Sequence, residues 1–467
     1  MRRCLYLLAL CCLLAPLGWG QQLLWQRRWP SVLPDYLYDM TKVSDSQLLA
    51  IGTLGNTPGV MLLGLTADGD TLYRRHIVMP FTYVGAMRVV ALSTGEVFVA
   101  ASSTSDTLYL ARVRPEDGSL YWITGLPGTG VFNSGPGVAD LIEGPSHSIV
   151  LAGSCLPPGG TGGNAGYLAC YDTLGTLQWD TIIREHPTNT FCHHVEMTRD
   201  GNILVSGTAG SRIWAAEYAQ DGFEIRRATF YQSQGRINFD YNPTVSARQA
   251  PGDRYFVSGL MQGSSGASYL GLHQGWAGPR VWGGERTTVT SWPAQVNTDG
   301  TLVVFQGRSM MPWLVRMRPD SSELWRSNAL LYQGARAFLN GYSALPDSSA
   351  IAVGRLQFQG SAAEDWYAAR ITGMGVPYRP WQPAVATRPQ ANPPVPRPYP
   401  SPCSGSLRFA GLAGPCRLQI YGTDGRLVQE QALAPGQTVD VSALPPRVYG
   451  YVLQGPGKVW RGRVVKR

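Results

Sequence analysis

Short apolar runs separated by polar turns recur along the chain, and a single unit accounts for most of them. It consists of a polar turn, a strand ending in a small residue, a variable loop, a second strand, a turn that usually contains Gly, and a third strand that often carries Trp. The small residues fall at Gly52, Ala101, Gly153, Gly207, Gly259, Gly307 and Gly354, at steps of 49, 52, 54, 52, 48 and 47. Seven units of about 50 residues predict an all-β repeat array or propeller. The turns agree. Asp200-Gly201 and Asp299-Gly300 are hairpin signals, because Gly supplies the positive φ that tight turns need. Gly69, Gly118, Gly175 and Gly222 mark the second turn. After it, Trp122, Trp179, Trp282 and Trp325 stand at one register of the third strand. Packing between adjacent sheets explains them better than a stacking platform for bases.

The seventh unit runs through Trp366 to Gly375 and then lacks its Trp-bearing strand, entering Pro377 instead. At the other end, Leu23 to Arg28, with Trp25, is such a strand without a unit. The first strand of the mature chain is therefore expected to complete the last sheet, which removes the edges an open array would expose. Residues 22–376 resemble the secreted bacterial seven-bladed propeller repeats of the Asp-rich, Gly-anchored type, most closely over Met197–Gly207 and Gly166–Trp179. The resemblance implies a fold; propellers host binding and catalysis alike.

Ten prolines between Pro377 and Pro402 predict an extended spacer, placed at 377–398 after a propeller at 21–376. Short strands then follow at Leu407–Phe409, Arg417–Tyr421, Arg426–Val428, Thr438–Val441, Val448–Leu453 and Val459–Val465, the pattern of a small Ig-like β-sandwich over 399–467. In it, Tyr399, Pro400 and Pro402, then Ile420 to Val428 with Gly425, then Val439 to Leu444, Tyr449 and the basic end Lys466-Arg467 resemble the type A C-terminal sorting domain of the type IX secretion system. That resemblance implies crossing of the inner membrane by a Sec signal and of the outer membrane under direction of this domain. It makes the type IX machinery a partner, and release or attachment to surface lipopolysaccharide the outcome. Ser401 stands where the family usually has Asn, and Arg447 where a Gly commonly precedes the last Tyr strand. The competing reading is an ordinary Ig-like accessory domain that binds carbohydrate or cell wall.

The N-terminus supplies the first address. Arg2 and Arg3, an apolar run from Cys4 to Leu17 and then Gly18-Trp19-Gly20 read as a secretory signal cleaved between Gly20 and Gln21. A membrane anchor would need about 20 apolar residues. The expected location is the medium or the outer cell surface. The formal charge of +8 changes little: the leader carries +2, and 12 basic against three acidic residues beyond 376 give that end +9, so 21–376 nets −3. Clustered cations on the main domain, and with them a nucleic-acid partner, are not expected. Five cysteines remain after cleavage. In an oxidising compartment Cys155 with Cys170, and Cys403 with Cys416, are candidate disulfides, leaving Cys192 odd.

Candidate chemistry is sparse. Thirteen residues before each small anchor stand Asp39, Arg88, Asp140, His194, Ser246, Ala294 and Gly341. If the innermost strand begins there, Asp39, Arg88, Asp140 and His194 ring one mouth of the central channel as a polar ligand-facing site; the alternative is that they cap turns between strands. Cys192, His193, His194 and Glu196 are metal-ligand types, yet strand alternation sends His193 and His194 to opposite faces. Gly159 to Gly163 lacks the Lys and Ser or Thr of a phosphate loop, and no nucleophile elbow or zinc helix occurs. No catalytic residue, metal or cofactor is assigned. The expectation is a monomeric binding or scaffolding module for a glycan, a peptide or another protein. The competing expectations are a polysaccharide hydrolase or lyase whose carboxylates come from different blades, and a quinoprotein-like dehydrogenase.

Overall fold

The structure is a computed structural model that describes residues 23–375 and 397–466, apart from 31–34, 56, 79–83, 104–107, 126–136, 156–162, 186–188, 211, 233–244, 261–267, 277, 287–289, 309–310, 328–334, 346, 359–362, 400–402, 404, 411–413, 423–425, 436 and 456–457. The chain divides into two compact units, Met1–Val385 and Ala386–Arg467. Every regular element among the described residues is a β-strand except a single 3-10 turn at Pro145–His147. The expected leader, with the cleavage site expected between Gly20 and Gln21, and the Gly159 to Gly162 stretch lie outside the described residues.

The first unit contains seven four-stranded antiparallel sheets among the described residues, taken here in chain order. Their first strands are Asp35–Lys42, Val84–Ala91, Val138–Glu143, Thr190–Met197, Val245–Ala250, Thr290–Val296 and Ala335–Ala344. Sheets one to six are each built from four consecutive strands. Sheet seven has three, and its fourth is Leu23–Trp29, which pairs antiparallel with Glu364–Ile371 through Arg27 opposite Ala368 and Trp29 opposite Trp366.

Burial follows the position of each strand. In sheet three the two middle strands, Ile149–Cys155 and Ala165–Tyr171, are buried at every residue, so they read as continuous apolar runs. The fourth strand of sheet one, Thr71–Ile77, is largely exposed. The cores lie between sheets. Leu49 and Ile51 of sheet one pack with Val97 and Val99 of sheet two, sheet two with Leu151 and Tyr167 of sheet three, and so on around to Leu37 and Leu63 of sheet one, which share a core with Val353 and Trp366 of sheet seven.

A recurrent bulge explains the small anchors. In sheets one, three, four and seven the first strand slips register at Tyr38, Ala139, His193 and Asn340. The slip drives the preceding carbonyl onto the facing strand: a Cβ at Gly52, Gly153, Gly207 or Gly354 would lie 2.2, 1.9, 1.8 or 1.9 Å from that oxygen. In sheet two the slip falls earlier, between Val84 and Ala86, so the anchor there can be Ala101.

In sheets seven, two and three the Trp of the outer strand packs on the turn of the next sheet. A Cβ at Gly69, Gly175 or Gly222 would fall 2.8, 2.7 or 2.7 Å from the rings of Trp25, Trp122 and Trp179. Each of these glycines has φ between +76° and +87°, so both conformation and space require Gly. Trp25 Nε1 also donates to Ala67 O at 2.9 Å and Trp179 Nε1 to Gln220 O at 2.8 Å.

The second unit has a three-stranded sheet (Arg397–Tyr399, Ser406–Ala410, Thr438–Asp440) and a four-stranded one (Leu427–Leu433, Cys416–Tyr421, Arg447–Gly455, Lys458–Lys466). Leu407, Phe409 and Val439 of the first sheet share one core with Leu418, Ile420, Tyr451 and Leu453 of the second. Its first strand begins at Arg397, inside the stretch expected as spacer. Of the sorting-motif residues, Pro400, Pro402 and Gly425 lie outside the described residues; Tyr399 is in a strand; Tyr449 is buried and its hydroxyl donates to Pro445 O at 2.8 Å.

The disulfide expectations are corrected. All five described cysteines are buried, and Cys155, Cys170, Cys192 and Cys416 are free thiols. Cys155 pairs in register with Ala165, five residues along the strand from Cys170, a separation of about 17 Å at the usual rise per residue. The two thiols also face opposite sides of sheet three, Cys155 toward sheet two and Cys170 toward sheet four. Cys403 bridges to Lys466, opposite Arg447 at one end of its strand, while Cys416 precedes Arg417, opposite Gln454 at the other. Neither pair can approach the roughly 4.4 to 6.8 Å between Cα atoms that a disulfide needs.

Candidate functional site

The first strands of sheets one to six lie side by side in order, and that of sheet seven lies beside that of sheet one. This brings Asp39, Arg88, Asp140 and His194 onto four neighbouring strands. Each pairs with the residue just before the small anchor: Asp39 with Ile51, Arg88 with Ala100, Asp140 with Ala152, His194 with Ser206, and further round Ser246 with Ser258 and Gly341 with Val353. Ala294 does not join them. It falls in the bulge of its strand, and Ser291 stands opposite Gln306 instead.

These side chains hold the sheets together. Asp39 Oδ2 accepts the Val89 amide of sheet two at 3.0 Å, and Asp140 Oδ2 accepts the Val195 amide of sheet four at 3.0 Å. Arg88 Nε donates to Ala139 O of sheet three at 2.6 Å, and Asn340 Nδ2 of sheet seven to Leu37 O of sheet one at 2.8 Å. Two residues along, on the same face, the pattern repeats: Thr41 Oγ1 accepts from Ala91 N at 3.1 Å and Glu196 Oε1 from Gln249 N at 2.5 Å. Hydrogen bonds to a charged acceptor contribute about 1.5–3 kcal/mol each.

The electrostatics alternate in sign around this arc. Burial pushes Asp39 up to about 6 against the pull of Arg88 and of the Val89 amide, although the residue is partly open to solvent. Burial also opposes ionisation of Asp140, but the His194 hydrogen bond and charge, the Val195 amide and Arg88 together hold its pKa below the ordinary value. His194 Nδ1 lies 2.6 Å from Asp140 Oδ2. Burial and Arg248 disfavour the imidazolium, yet Asp140 and Glu196 outweigh them and raise its pKa. Glu196 Oε2 is 3.6 Å from His194 Nε2, an attraction at a distance too long for a hydrogen bond.

Metal chemistry finds no seat here. Asp140 and Glu196 approach opposite ring nitrogens of one imidazole, so the three do not converge on a point, and among the described residues no group of three His, Cys, Asp or Glu side chains is placed to hold an ion. His193, the bulge residue, is buried with Nε2 3.0 Å from Thr208 Oγ1, and burial pushes its pKa down to about 4. Glu196 joins the site, and Arg248 acts on it through its charge, without having been singled out from sequence for it. The signal for both was present: each stands two residues beyond the column, on the same face by strand alternation.

No family model matches the chain, and no curated protein matches it. Solved structures with similar folds include a Dos1 propeller (10% identity, 73% of this chain and 79% of that one, TM-score 0.41) and the WD40 domain of Toxoplasma gondii coronin (10%, 78% and 88%, 0.44). A quinohemoprotein alcohol dehydrogenase from Comamonas testosteroni is similar at 12% identity over 78% of each chain, with a TM-score of 0.41.

Proposed function

We propose that the first unit is a closed seven-bladed β-propeller that works as a binding or scaffolding module for a glycan, a peptide or another protein. The leader at 1–20 and the Ig-like sandwich at 399–467, acting as a type IX sorting domain, carry it to the cell surface or the medium. The observation that carries the binding reading is the arc of Asp39, Arg88, Asp140 and His194 on adjacent inner strands, where each polar group is fixed by hydrogen bonds between sheets. Such a ring presents a rigid polar surface around the channel. It suits catalysis poorly: an imidazolium held between two carboxylates has no free base to offer, and Asp140 already accepts from His194 and a backbone amide. The raised pKa of Asp39 is the one feature that favours the second reading, a polysaccharide-acting hydrolase or lyase with that carboxyl as its acid.

The mature chain on glycan and peptide arrays should bind one ligand class saturably without turnover. Turnover that Asp140→Ala abolishes would replace the binding reading with the enzymatic one. For the route, deletion of 399–467 should leave the propeller in the periplasm; its arrival in the medium at normal levels would refute the sorting assignment.

A further inference from the structure

Four buried polar atoms, on the first strands of sheets four and five and the second strand of sheet five, have no hydrogen-bond partner among the described residues: His194 Nε2, Ser246 Oγ, Arg248 Nε and Ser258 Oγ. Buried polar atoms are nearly always paired, so a cluster of unpaired ones calls for a physical cause. Ser246 and Ser258 stand directly opposite one another in register. Arg248, two residues on, shares their face. Ala247, between Ser246 and Arg248, turns the other way into the apolar core with sheet four, so the two hydroxyls and the guanidinium take the face whose deeper residues Ala250 and Phe256 pack toward sheet six.

The two strands run closely together. Ala247 N donates to Ser206 Oγ at 2.8 Å, and Ser206 is the residue opposite His194; Gln249 N reaches Glu196 Oε1 at 2.5 Å. The charge of Arg248 is felt by His194 of sheet four and by Tyr342 of sheet seven. No ion pair among the described residues includes it. A guanidinium has five donors and no acceptor, and a recessed cation without an anion is costly. Glu196 is directed elsewhere: its Oε1 accepts the Gln249 amide and its Oε2 lies 3.6 Å from His194 Nε2.

We propose that the channel end of this face binds an oxyanion group of the ligand, a carboxylate or a phosphate or sulfate, with Arg248 as its cation, Ser246 as a hydroxyl donor and His194 Nε2 at the edge. The planar fork of Arg matches such groups geometrically, whereas a neutral hydroxyl would leave the positive charge uncompensated. The inference rests on the binding-module reading and names the chemistry of its ligand.

The test is isothermal titration of the mature full-length chain at pH 7 and constant ionic strength with three probes, inorganic phosphate, sulfate and glucuronate, against chloride as control. At least one probe should bind saturably at one site. Arg248→Gln should weaken it at least about tenfold, the scale of a lost charged hydrogen bond, and Ser246→Ala by several-fold. A preference for glucuronate over the inorganic anions assigns a carboxylate ligand; the reverse assigns a phosphate or sulfate ester. If Arg248→Gln fails to fold by circular dichroism, Ser246→Ala decides, since it removes only a hydroxyl. No saturable binding of any probe at tens of millimolar, or equal affinity in the variants, overturns the proposal. Capture of a neutral glycan or peptide on the arrays with an affinity that Arg248→Gln leaves unchanged would also overturn it, while leaving the binding-module reading in place.

Discussion

Replacing Trp25 by Ala should open the ring at its seam. Trp25 is 8% exposed, although it lies on an outer strand. Its ring rests on Gly69 of sheet one, and its strand is the only part of sheet seven that comes from the start of the chain. Truncating a buried Trp costs about 3–5 kcal/mol. The lost Nε1 hydrogen bond adds little, because Ala67 O keeps a second donor in Arg370 Nη1 at 2.8 Å. The site is near the surface and water can enter, so the lower figure applies, about 3 kcal/mol. With a urea slope of about 3 kcal/mol/M, the unfolding midpoint falls by about 1 M. Leu24→Ala is the control: the neighbouring residue is 48% exposed and should move the midpoint by less than a third of that. Urea titrations of the mature chain followed by Trp-independent far-ultraviolet dichroism measure both. Equal shifts for the two variants would refute the idea that this strand seals the last sheet.

Other outcomes follow from the same geometry. Gly207→Ala should cost more than 2 kcal/mol by urea titration, since its Cβ would sit 1.8 Å from Phe191 O, whereas Ala101→Gly should change stability by about 1 kcal/mol at most. Because Asp39 is pushed from 3.8 up to about 6, its proton is held more tightly folded than unfolded, so stability should fall as pH rises from about 4 through 6. The shift corresponds to at most about 3 kcal/mol, less for the partial exposure of the carboxyl; Asp39→Asn should flatten that slope, and an unchanged slope would remove Asp39 as its source. His194 adds to the same trend: its raised pKa contributes stability below its unfolded value that is lost as pH rises through the folded one. With Cys155, Cys170, Cys192 and Cys416 free, at least four thiols within residues 21–467 should react with a thiol reagent after unfolding without reductant; three or fewer would reinstate a disulfide.

The repeat and the displaced first strand were legible because they rest on local features: a small residue every 50 or so positions, a Gly turn and an outer Trp. The column of polar residues was legible for the same reason in six sheets. It failed at Ala294 because there the bulge falls on the column residue itself, whereas at Tyr38, Ala139, His193 and Asn340 it falls one residue earlier. The bulge at His193 is why Gly is required at 207, and the earlier slip in sheet two is why Ala suffices at 101, a distinction invisible without the carbonyl that presses on the anchor. Cys155 and Cys170 were misread because closeness across a loop says nothing about which face of a sheet each side chain takes. Roles such as that of Asp140, accepting from the next sheet, depend on residues about 55 positions away and arise only once the sheets are side by side.

Closure of the ring by its own first strand is tested most directly by hydrogen–deuterium exchange on the mature chain, comparing peptides that cover 23–29 and 364–371. A sealed seventh sheet predicts protection of the first segment on the same timescale as its partner, with both lost together in Trp25→Ala. Exchange of 23–29 within seconds, while 364–371 stays protected, would contradict it.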